Sequence, residues 1–250
     1  MNDAIEIIRA RDAGGRGFEK VFAFLRARLL DGSLRAGDRL MPERELATLL
    51  GVSRPILREA LRALTVLGVV EIKDRVGTVV RRPDVSVLND FFTLAIAGTT
   101  DVVDDIMQAR IAIECQAIRL AAERASVADF ERLGRALARI APTIDDPVAG
   151  STADYEFHRT LVAASRSDTL LVLYDAMAEV LKTSHLARRE TLNAFGEIRI
   201  YLVEDHRRIF QAIVDRDGER GDRVLREHFA IGDEFRRKAA IGELRAAATA

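Results

Sequence analysis

The sequence contains one cysteine, Cys115, and no tryptophan. A single thiol excludes an intramolecular disulfide framework and is typical of a reducing compartment, so we expect a cytoplasmic protein with Cys115 as a small core residue. Aromatic residues make up 6% of the chain, which favours a helix-rich fold with an aliphatic core. Five prolines, with 48% hydrophobic and 31% charged residues among the 250, exclude a disordered chain.

Long hydrophobic runs are also missing. The longest uncharged apolar stretch near the middle, FFTLAIAG at 91–98, is far too short to span a bilayer. The N-terminal stretch MNDAIEIIRARDAGG carries acidic residues and lacks an apolar core before a small-residue cleavage site, so it is not typical of a signal peptide. We therefore expect no membrane association.

The chain as a whole has no large excess of positive or negative charge, and its formal net charge is −1. The two parts of the chain differ, however. Residues 1–83 contain 16 Lys and Arg against 11 Asp and Glu, a net charge of +5, and the remainder has a net charge of −6. A basic N-terminal third joined to an acidic remainder is typical of a DNA-binding head on a body that does not bind DNA.

Residues 18–80 show the order of elements of a winged helix-turn-helix. Gly51 is suited to a left-handed cap between two of the helices, and Ser53 is suited to cap the second of them. The β-rich runs after Gly68 lack helical spacing and predict a hairpin. The predicted elements are helices over 18–34, 42–50 and 54–67 and strands over 69–72 and 78–80.

The second helix of such a motif enters the major groove with its N-terminal residues at the base edges. Arg54 and Arg58 lie four positions apart at that end, so both leave one helix face, and arginine grips guanine or phosphate through two parallel donors. Arginines on an amphipathic helix are often no more than its solvent-exposed face. Here the turn, the cap, the second helix and the wing occur together, and this combination favours DNA binding. The residues predicted to bind DNA are Arg44, Ser53, Arg54 and Arg58, with Lys73, Arg75 and Gly77 in the wing turn.

The stretch DRLMPERELATLLGVSRPILREALRALTVLGVVEIKDRVGTVVRR resembles the winged-helix domain of the GntR family of bacterial transcription regulators. The resemblance rests on ERELA, GVSR, REAL, the LG that ends the helix and the GT of the wing, and it covers residues 18–82. It implies that Arg44, Arg54 and Arg58 contact operator DNA and that the wing turn touches the minor groove.

Two departures from the family pattern leave the operator sequence open. The proline in MPE (41–43) leads directly into the glutamate without the usual serine, and SRPI (53–56) replaces the usual Ser-Arg-Thr-Pro. The missing threonine hydroxyl removes one expected polar contact.

The rest of the chain shows helical patterns alone. The polar joint RRPDVS (81–86) marks the predicted boundary between a DNA-binding domain, 1–82, and a second domain, 83–250. Helical patterns with short links describe an antiparallel all-helical bundle of six to seven helices, so the predicted fold class is mainly α, with a winged helix-turn-helix followed by that bundle. The predicted helices cover 87–98, 101–125, 127–141, 151–165, 168–190, 196–215 and 219–245.

Asp154 and His158, in DYEFH, lie four positions apart and share a helix face. Such a pair occurs by chance in many soluble helices and does not indicate a metal site by itself. His206 and His228 are candidate companions, because residue 217 in the DRDG turn is eleven positions from each. In an antiparallel hairpin both histidines then lie about 16 Å from the turn, at about 1.5 Å per residue.

Three imidazoles and a carboxylate suit Zn²⁺, Ni²⁺ or Mn²⁺, which accept nitrogen and oxygen ligands together. This agreement requires only that His206 and His228 be equally far from residue 217 in the sequence, so coincidence is an open alternative. In that case His206 and His228 are half-exposed residues paired with Glu204 and Glu227.

The body resembles the FCD ligand-binding domain of the FadR subfamily of GntR regulators. This resemblance implies that four residues bind a divalent metal (Zn, Ni or Mn), namely Asp154, His158, His206 and His228. The acyl-CoA-responsive branch of the family lacks this metal site. The resemblance spans about 87–240 and is carried by QARIAIECQAIRLAAERA (108–125), DYEFHRTLVAAS (154–165), YLVEDHRRIFQAI (201–213) and LREHF (225–229).

The same resemblance implies that a small carboxylate, such as a hydroxy acid or sugar acid, occupies open positions on the ion. We expect Arg110, on the helix that resembles one lining the pocket, to hold its carboxylate. The alternative is a structural Arg110–Glu114 pair at helical spacing, worth about 0.2–0.5 kcal/mol. His185, in LKTSHLARRE, has no counterpart among the ligands and is expected to be a polar or pocket-edge residue.

Together these patterns predict a homodimeric DNA-binding transcriptional regulator and not an enzyme. The effector model is a repressor that a small organic acid releases from double-stranded operator DNA. Two alternatives stay open: a sensor in which the metal itself is the signal, and a metal-dependent enzyme, since three histidines and an aspartate also suit hydrolysis. Against the enzyme, the sequence shows no dedicated general base beside the cluster, and an enzyme has no need of the DNA-binding head.

Overall fold

The structure is a computed structural model that describes residues 17–82, 85–98, 102–193, 198–231 and 234. It divides into two compact units, one up to Val87 and one from Leu88 onward. Helices dominate both units, which confirms the predicted fold class. No helix among the described residues is long and apolar enough to cross a membrane. The N-terminal stretch before residue 17, part of the joint at 81–86 and the predicted extension of the last helix to 245 lie outside the described residues.

The first unit is a winged helix-turn-helix. Its third helix buries an apolar stripe, Leu57, Leu61 and Leu64, at the three- and four-residue spacing of one helix face. Each such side chain stabilises the unit by about 1.5–3 kcal/mol when fully buried. The elements are α1 (17–30), α2 (Glu43–Leu50), α3 (Arg54–Val66), β1 (Val70–Lys73) and β2 (Gly77–Val80).

The turn between α2 and α3 differs from the prediction at one residue. Gly51 ends α2 in the predicted left-handed conformation, with φ 62° and ψ 41°. Ser53 occupies the N-cap position of α3, but its side chain accepts no capping hydrogen bond from the described residues. Pro55, the second residue of the helix, has no N–H to donate, which removes one of the two usual donors to a capping hydroxyl.

The wing is an antiparallel hairpin in which Val70 lies opposite Val80 and Lys73 opposite Gly77. Arg75 lies in the turn between the strands with φ 61°. A single bridge between Arg39 and Val79 extends the sheet on its other side.

The second unit is a helical bundle with α7 at its centre, in contact with α5, α6, α8 and α9. Its core is mainly aliphatic but also buries Phe157, Tyr174 and Phe229, and Cys115 lies inside it as predicted. The helices are α4 (Ser86–Ile96), α5 (Val102–Arg124), α6 (Val127–Leu137), α7 (Pro147–Ala164), α8 (Asp168–Ala176), α9 (Ala178–Asn193), α10 (Ile198–Val214) and α11 (218–231), with a 3-10 turn at Ala141–Thr143.

The bundle has eight α-helices among the described residues, and the predicted number of six to seven was wrong. The stretch predicted as one helix over 168–190 is divided at Met177, whose backbone takes φ −100° and ψ 6° and whose N–H bonds to Tyr174 O. No glycine or proline marks this break in the sequence, so helical periodicity alone missed it.

The start of α7 was also predicted four residues too late. Pro147 was treated as a helix breaker, but it occupies the first turn, where its missing N–H has no cost. The Asp146 side chain accepts hydrogen bonds from Val148 N at 2.9 Å and Ala149 N at 3.0 Å, which caps the helix.

The α10–α11 hairpin is held against α5 at its turn. Arg216 has φ 61°, and its guanidinium donates to Ala122 O at 3.1 Å, in the last turn of α5, and to Ala125 O at 2.8 Å, just after that helix. Gly221 lets α11 approach α5 closely, because a Cβ at this position would lie 2.9 Å from Ile118 Cδ1. These contacts set the depth at which α11 presents its side chains to the bundle interior.

Asp129→Ala is expected to destabilise the second unit by about 1–2 kcal/mol, because Asp129 forms a capping box with Ser126 at the start of α6. Burial alone would raise the pKa of Asp129, but hydrogen bonds from Ser126 and Arg166 outweigh it and hold the pKa at about 2. A carboxylate with a depressed pKa stabilises the fold above its unfolded value, about 3.9, and loses this contribution as the pH falls towards 2.

Urea unfolding at pH 7 and at pH 3 measures both effects. The exposed Glu131→Ala change on the same helix is the control and is expected to alter the free energy of unfolding by less than about 0.5 kcal/mol. Equal decreases in the free energy of unfolding for the two variants at pH 7 would contradict this role of Asp129.

Candidate metal centre and DNA-reading surface

The residues predicted to bind DNA lie on the surface of the first unit. Arg54 and Arg58 line one shallow groove on α3 with Pro55 between them. Arg58 Nε donates to Glu43 Oε2 at 2.7 Å, which ties α3 to the first turn of α2. The side chains of Arg44, Ser53, Arg54, Arg58, Lys73 and Arg75 are exposed, as is Gly77.

The structure brings the four predicted metal ligands together inside the second unit. Asp154 and His158 come from α7, His206 from α10 and His228 from α11. One potential ligand atom from each lies within 4.8 Å of the others, and all four residues are buried.

The two helix relations proposed from the sequence explain this convergence. The spacing of four places Asp154 Oδ1 3.2 Å from His158 Nε2 on one face of α7. The matched depth of the α10–α11 hairpin places the rings of His206 and His228 4.8 Å apart, centre to centre. Both histidines are buried rather than half-exposed, and the acid that His228 Nδ1 approaches, at 3.7 Å, is Asp205. The alternative in which they pair with Glu204 and Glu227 at the surface was therefore wrong.

Two of the imidazole rings are oriented through their Nδ1 atoms. His158 Nδ1 lies 2.6 Å from Glu114 Oε2, and His206 Nδ1 lies 2.6 Å from Leu202 O. A carbonyl oxygen only accepts hydrogen bonds, so His206 carries its proton on Nδ1. This arrangement, with Nδ1 bound to an acceptor and Nε2 directed at the site, is the one found in histidines that bind metals.

The Nε2 atoms then face an oxygen that cannot donate to them. His158 Nε2 and His206 Nε2 both lie 3.2 Å from Asp154 Oδ1. In the neutral ring Nε2 presents a lone pair, and an ionised carboxylate oxygen presents another. Two buried lone pairs at this distance are unfavourable unless a proton or a metal ion lies between them. A proton or a metal ion between these atoms therefore stabilises the cluster.

Buried charges around the cluster set the protonation states of its members. Burial alone would raise the pKa of Asp154, but the neighbouring His185 and Arg189 hold it well below its usual range. Burial alone would lower the pKa of His158, but the Glu114 carboxylate outweighs it and raises the pKa. Burial, with His206 and His158 nearby, lowers the pKa of His228 well below its usual range. The ionised carboxylate of Asp154 and the neutral imidazole of His228 are the states in which these groups bind metals, whereas the raised pKa of His158 favours a proton that a metal ion has to displace.

Arg110 is buried, and its guanidinium lies over the ring of Phe229, 4.9 Å from the ring centre. Its Nε donates to Glu114 Oε1 at 2.8 Å, so the pair that the sequence left as an alternative is present. Glu114 bridges this arginine to His158, and its pKa is lowered because Arg110 and His158 outweigh the effect of burial. Arg110 Nη2 has no hydrogen-bond partner among the described residues.

Sequence reasoning missed Arg189 and underestimated Glu114. Glu114, which was considered only as the partner of Arg110 at helical spacing, also accepts a hydrogen bond from Tyr174 OH at 3.1 Å. His185 Nδ1 lies 3.5 Å from Asp154 Oδ1, and Arg189 Nη2 lies 3.2 Å from Asp154 Oδ2. The signal available in the sequence was the spacing of four between His185 and Arg189, which places both on one face of α9.

Comparison with known proteins assigns both units. Residues 18–80 match the family model described as "Bacterial regulatory proteins, gntR family", and residues 105–230 match the FCD domain. The solved structure of Streptococcus agalactiae GntR is 19% identical in sequence, with a TM-score of 0.63, over 88% of this chain and 99% of that chain, which shows a shared fold.

Curated relatives agree with the family models. The HTH-type transcriptional regulator YcbG of Bacillus subtilis is 35% identical over 205 residues, 80% of this chain and 81% of that protein. The putative L-lactate dehydrogenase operon regulatory protein of Escherichia coli K12 is 33% identical over 212 residues, 83% of this chain and 81% of that protein. The families and relatives are transcriptional regulators rather than enzymes, so the enzyme alternative is excluded. The chain therefore belongs to the GntR family of bacterial regulatory proteins, with a helix-turn-helix unit followed by an FCD domain as in the FadR subfamily, and it is a DNA-binding transcriptional regulator.

Proposed function

We propose that this regulator is a cytoplasmic homodimeric repressor that carries a divalent metal ion in its second unit and leaves its operator when a small organic acid binds to that ion. Residues 1–82 form the DNA-binding domain and 83–250 the effector-binding and dimerisation domain in this proposal. The observation that carries it is the buried set of one carboxylate and three imidazoles within 4.8 Å, in which lone pairs face one another.

The ligand set narrows the choice of ion. Asp154, His158, His206 and His228 offer three nitrogens and one oxygen, which suits Zn²⁺, Ni²⁺ or Mn²⁺ better than the all-oxygen environment that Mg²⁺ and Ca²⁺ prefer. Four protein ligands leave positions open on a five- or six-coordinate ion, and the bound ion supplies a positive charge there that attracts a carboxylate.

A carboxylate effector is supported by the positive side chains near the cluster. Arg110 is buried with Nη2 unpartnered among the described residues, so an acid carboxylate provides the acceptor that this nitrogen lacks. The E. coli relative is named for an L-lactate dehydrogenase operon, and lactate is a hydroxy acid. A hydroxy acid or sugar acid can bind an ion through its carboxylate and hydroxyl together, which favours this class.

A homodimer is supported by the exposed apolar side of α4. Leu88, Phe91 and Leu94 succeed one another at intervals of three, with exposed fractions of 50%, 72% and 75%. A row of large apolar side chains on one helix face marks an interface more often than a solvated surface. Two copies would present two heads to the half-sites of a pseudo-palindromic operator.

DNA binding and its release test the whole proposal. Fluorescence anisotropy with labelled DNA from the gene's own upstream region is expected to show binding at low salt that weakens steeply as salt rises, because phosphate contacts release counterions. A panel of hydroxy acids, sugar acids and dicarboxylates is expected to contain at least one that releases the DNA. Failure to bind this DNA with or without acids would contradict an operator role.

The same experiment separates acid sensing from metal sensing. If the ion itself is the signal, DNA affinity follows metal concentration and no acid in the panel changes it. If the acid is the signal, DNA affinity at saturating metal falls only when the acid is present, because the effector shifts the population towards the arrangement that it binds better.

Glu114→Gln is expected to weaken metal binding about 10- to 100-fold, because Glu114 orients His158 through Nδ1 and its charge increases the basicity of the ring. Glutamine keeps the volume of the side chain. Tyr174→Phe, which removes one hydrogen bond to Glu114 and leaves those with Arg110 and His158, is the control and is expected to change metal affinity less than about threefold. Competition against a chromogenic chelator measures both. Equal affinities for wild type and Glu114→Gln would contradict the orienting role.

A further inference from the structure

We propose that Arg189 forms a second anion-binding subsite beside the metal cluster, so that the acid sensed by this regulator is a short dicarboxylate rather than a monocarboxylate. This inference rests on the proposed function and specifies its ligand.

Helix α9 turns a row of polar side chains into the bundle. Ser184, His185 and Arg189 are all at least 98% buried. Polar atoms in each of the three, namely Ser184 Oγ, His185 Nε2 and the guanidinium nitrogens of Arg189, have no hydrogen-bond partner among the described residues. Buried polar atoms are almost always hydrogen-bonded in folded proteins, so several unpartnered ones on a single helix indicate groups that bind a ligand.

The Arg189 guanidinium lies directly beside the proposed ion site. Its Nη2 is 3.2 Å from Asp154 Oδ2, while Asp154 Oδ1 faces the imidazoles of His158 and His206. The 3.2 Å approach to Asp154 lacks hydrogen-bond geometry, and Nε and Nη1 have no partner among the described residues either. A guanidinium with several free donors is shaped to bind a carboxylate through two parallel hydrogen bonds.

The backbone of α7 makes room for this side chain. Gly150 lies one turn before Asp154 on the same face, and a Cβ at Gly150 would lie 3.6 Å from Arg189 Cζ. The guanidinium therefore lies beside α7, close to both Gly150 and Asp154. This position holds its charge inside the bundle rather than at the surface.

Charge balance sets the charge of the missing ligand. The buried charged side chains around the cluster are Arg110, Arg188 and Arg189 against Glu114, Asp154 and Asp205, which balance one another. A dication at the cluster adds two positive charges that these residues do not neutralise. A monocarboxylate cancels one of them and a dicarboxylate cancels both, with one carboxylate at the ion and the other at Arg189.

The two anchors are close together, which limits the length of the acid. Asp154 touches both sites through the two oxygens of a single carboxylate group. A dicarboxylate with a short chain between its carboxylates therefore spans the ion and Arg189, whereas a long-chain diacid does not match this spacing.

Malate and 2-hydroxybutyrate provide the test, because they differ only in that malate has a second carboxylate in place of a methyl group. Isothermal titration of the metal-loaded full chain is expected to show malate binding about 10- to 100-fold more tightly, the range for a charge-assisted hydrogen-bonded pair. Arg189→Gln is expected to remove this preference by weakening malate alone. Lys182→Gln, an exposed change on the same helix, is the control and is expected to keep the preference.

Three results would overturn the proposal. Wild-type protein that binds 2-hydroxybutyrate as tightly as malate has no second anion subsite. An Arg189→Gln variant that loses both acids equally, or loses its metal by elemental analysis, assigns Arg189 to holding Asp154 instead. If neither acid binds, and no other acid of the panel binds the metal-loaded protein, the acid-sensing function fails as well; binding of monocarboxylates alone leaves that function intact and contradicts only this inference.

Discussion

His206→Ala and His228→Ala are each expected to reduce the metal bound by purified protein from about one ion per chain to less than about a tenth of that. Loss of an outer-shell partner costs about 10- to 100-fold in metal affinity, and loss of a direct ligand costs more. Each variant removes one of four ligand atoms that converge within 4.8 Å in the bundle interior. Elemental analysis after dialysis against a weak chelator measures the result.

His185→Ala is the matched control for these two variants. It removes a buried imidazole from the same region, 3.5 Å from Asp154, but not from the four-residue set. We expect it to keep its metal. Full metal content in both His206→Ala and His228→Ala would contradict the site, and loss of metal in His185→Ala as well would show that a fifth residue binds the ion. Circular dichroism checks that each variant is folded before its metal is counted.

Arg54→Ala is expected to weaken operator binding by about 10- to 100-fold, which is the cost of one well-placed arginine contact to a base or phosphate. Arg54 is the first residue of α3, at the end of the helix that enters the major groove in this motif. Arg58→Ala is expected to weaken operator binding less than Arg54→Ala does, because Arg58 must give up its ion pair with Glu43 before it can contact DNA.

Arg62→Ala is the control, since Arg62 lies two turns farther along α3 and pairs with Glu59. It is expected to change operator affinity by less than about threefold. Anisotropy titrations at several salt concentrations separate the two kinds of contact. A phosphate contact lowers the salt slope by about one, and a base contact leaves the slope unchanged while it relaxes sequence preference. Equal affinities for wild type and Arg54→Ala would show that α3 does not read the operator through this residue.

The elements of the winged helix-turn-helix unit could be predicted from the sequence almost one by one. Gly51 has a clear backbone reason to end a helix, and the apolar stripe of α3 has a clear period, so both were placed correctly. These signals are local and do not depend on the rest of the fold. Ser53 departs from its expected capping role because Pro55, two residues further on, lacks the N–H that a capping hydroxyl commonly accepts from.

The bundle was harder to predict because its helix boundaries depend on packing. The break at Met177 has no glycine or proline to mark it. It separates α8, which carries Tyr174 to Glu114, from α9, which carries His185 and Arg189 to Asp154. Tertiary contacts of this kind cannot be inferred from the sequence of one helix.

The four-residue cluster could be predicted because both of its relations are periodic. A spacing of four on α7 and equal distances from one turn are properties of ideal helices. The surrounding residues could not be predicted in the same way, because Glu114 and Arg189 reach the cluster from helices whose rotation about their axes is set by the core. Periodicity therefore identified the four candidate ligands, and packing determines which groups orient them.

The most direct test of the account is the effect of acid on operator affinity in metal-loaded and metal-stripped protein. Labelled upstream DNA is titrated with each form, without acid and with malate at about 100 times its dissociation constant, a concentration at which ligand binding can shift an equilibrium by about 2.7 kcal/mol. The account predicts that malate weakens DNA binding at least tenfold in the loaded form and has no effect in the stripped form. An equal effect of malate in both forms would contradict the claim that the acid acts through the metal held by Asp154, His158, His206 and His228.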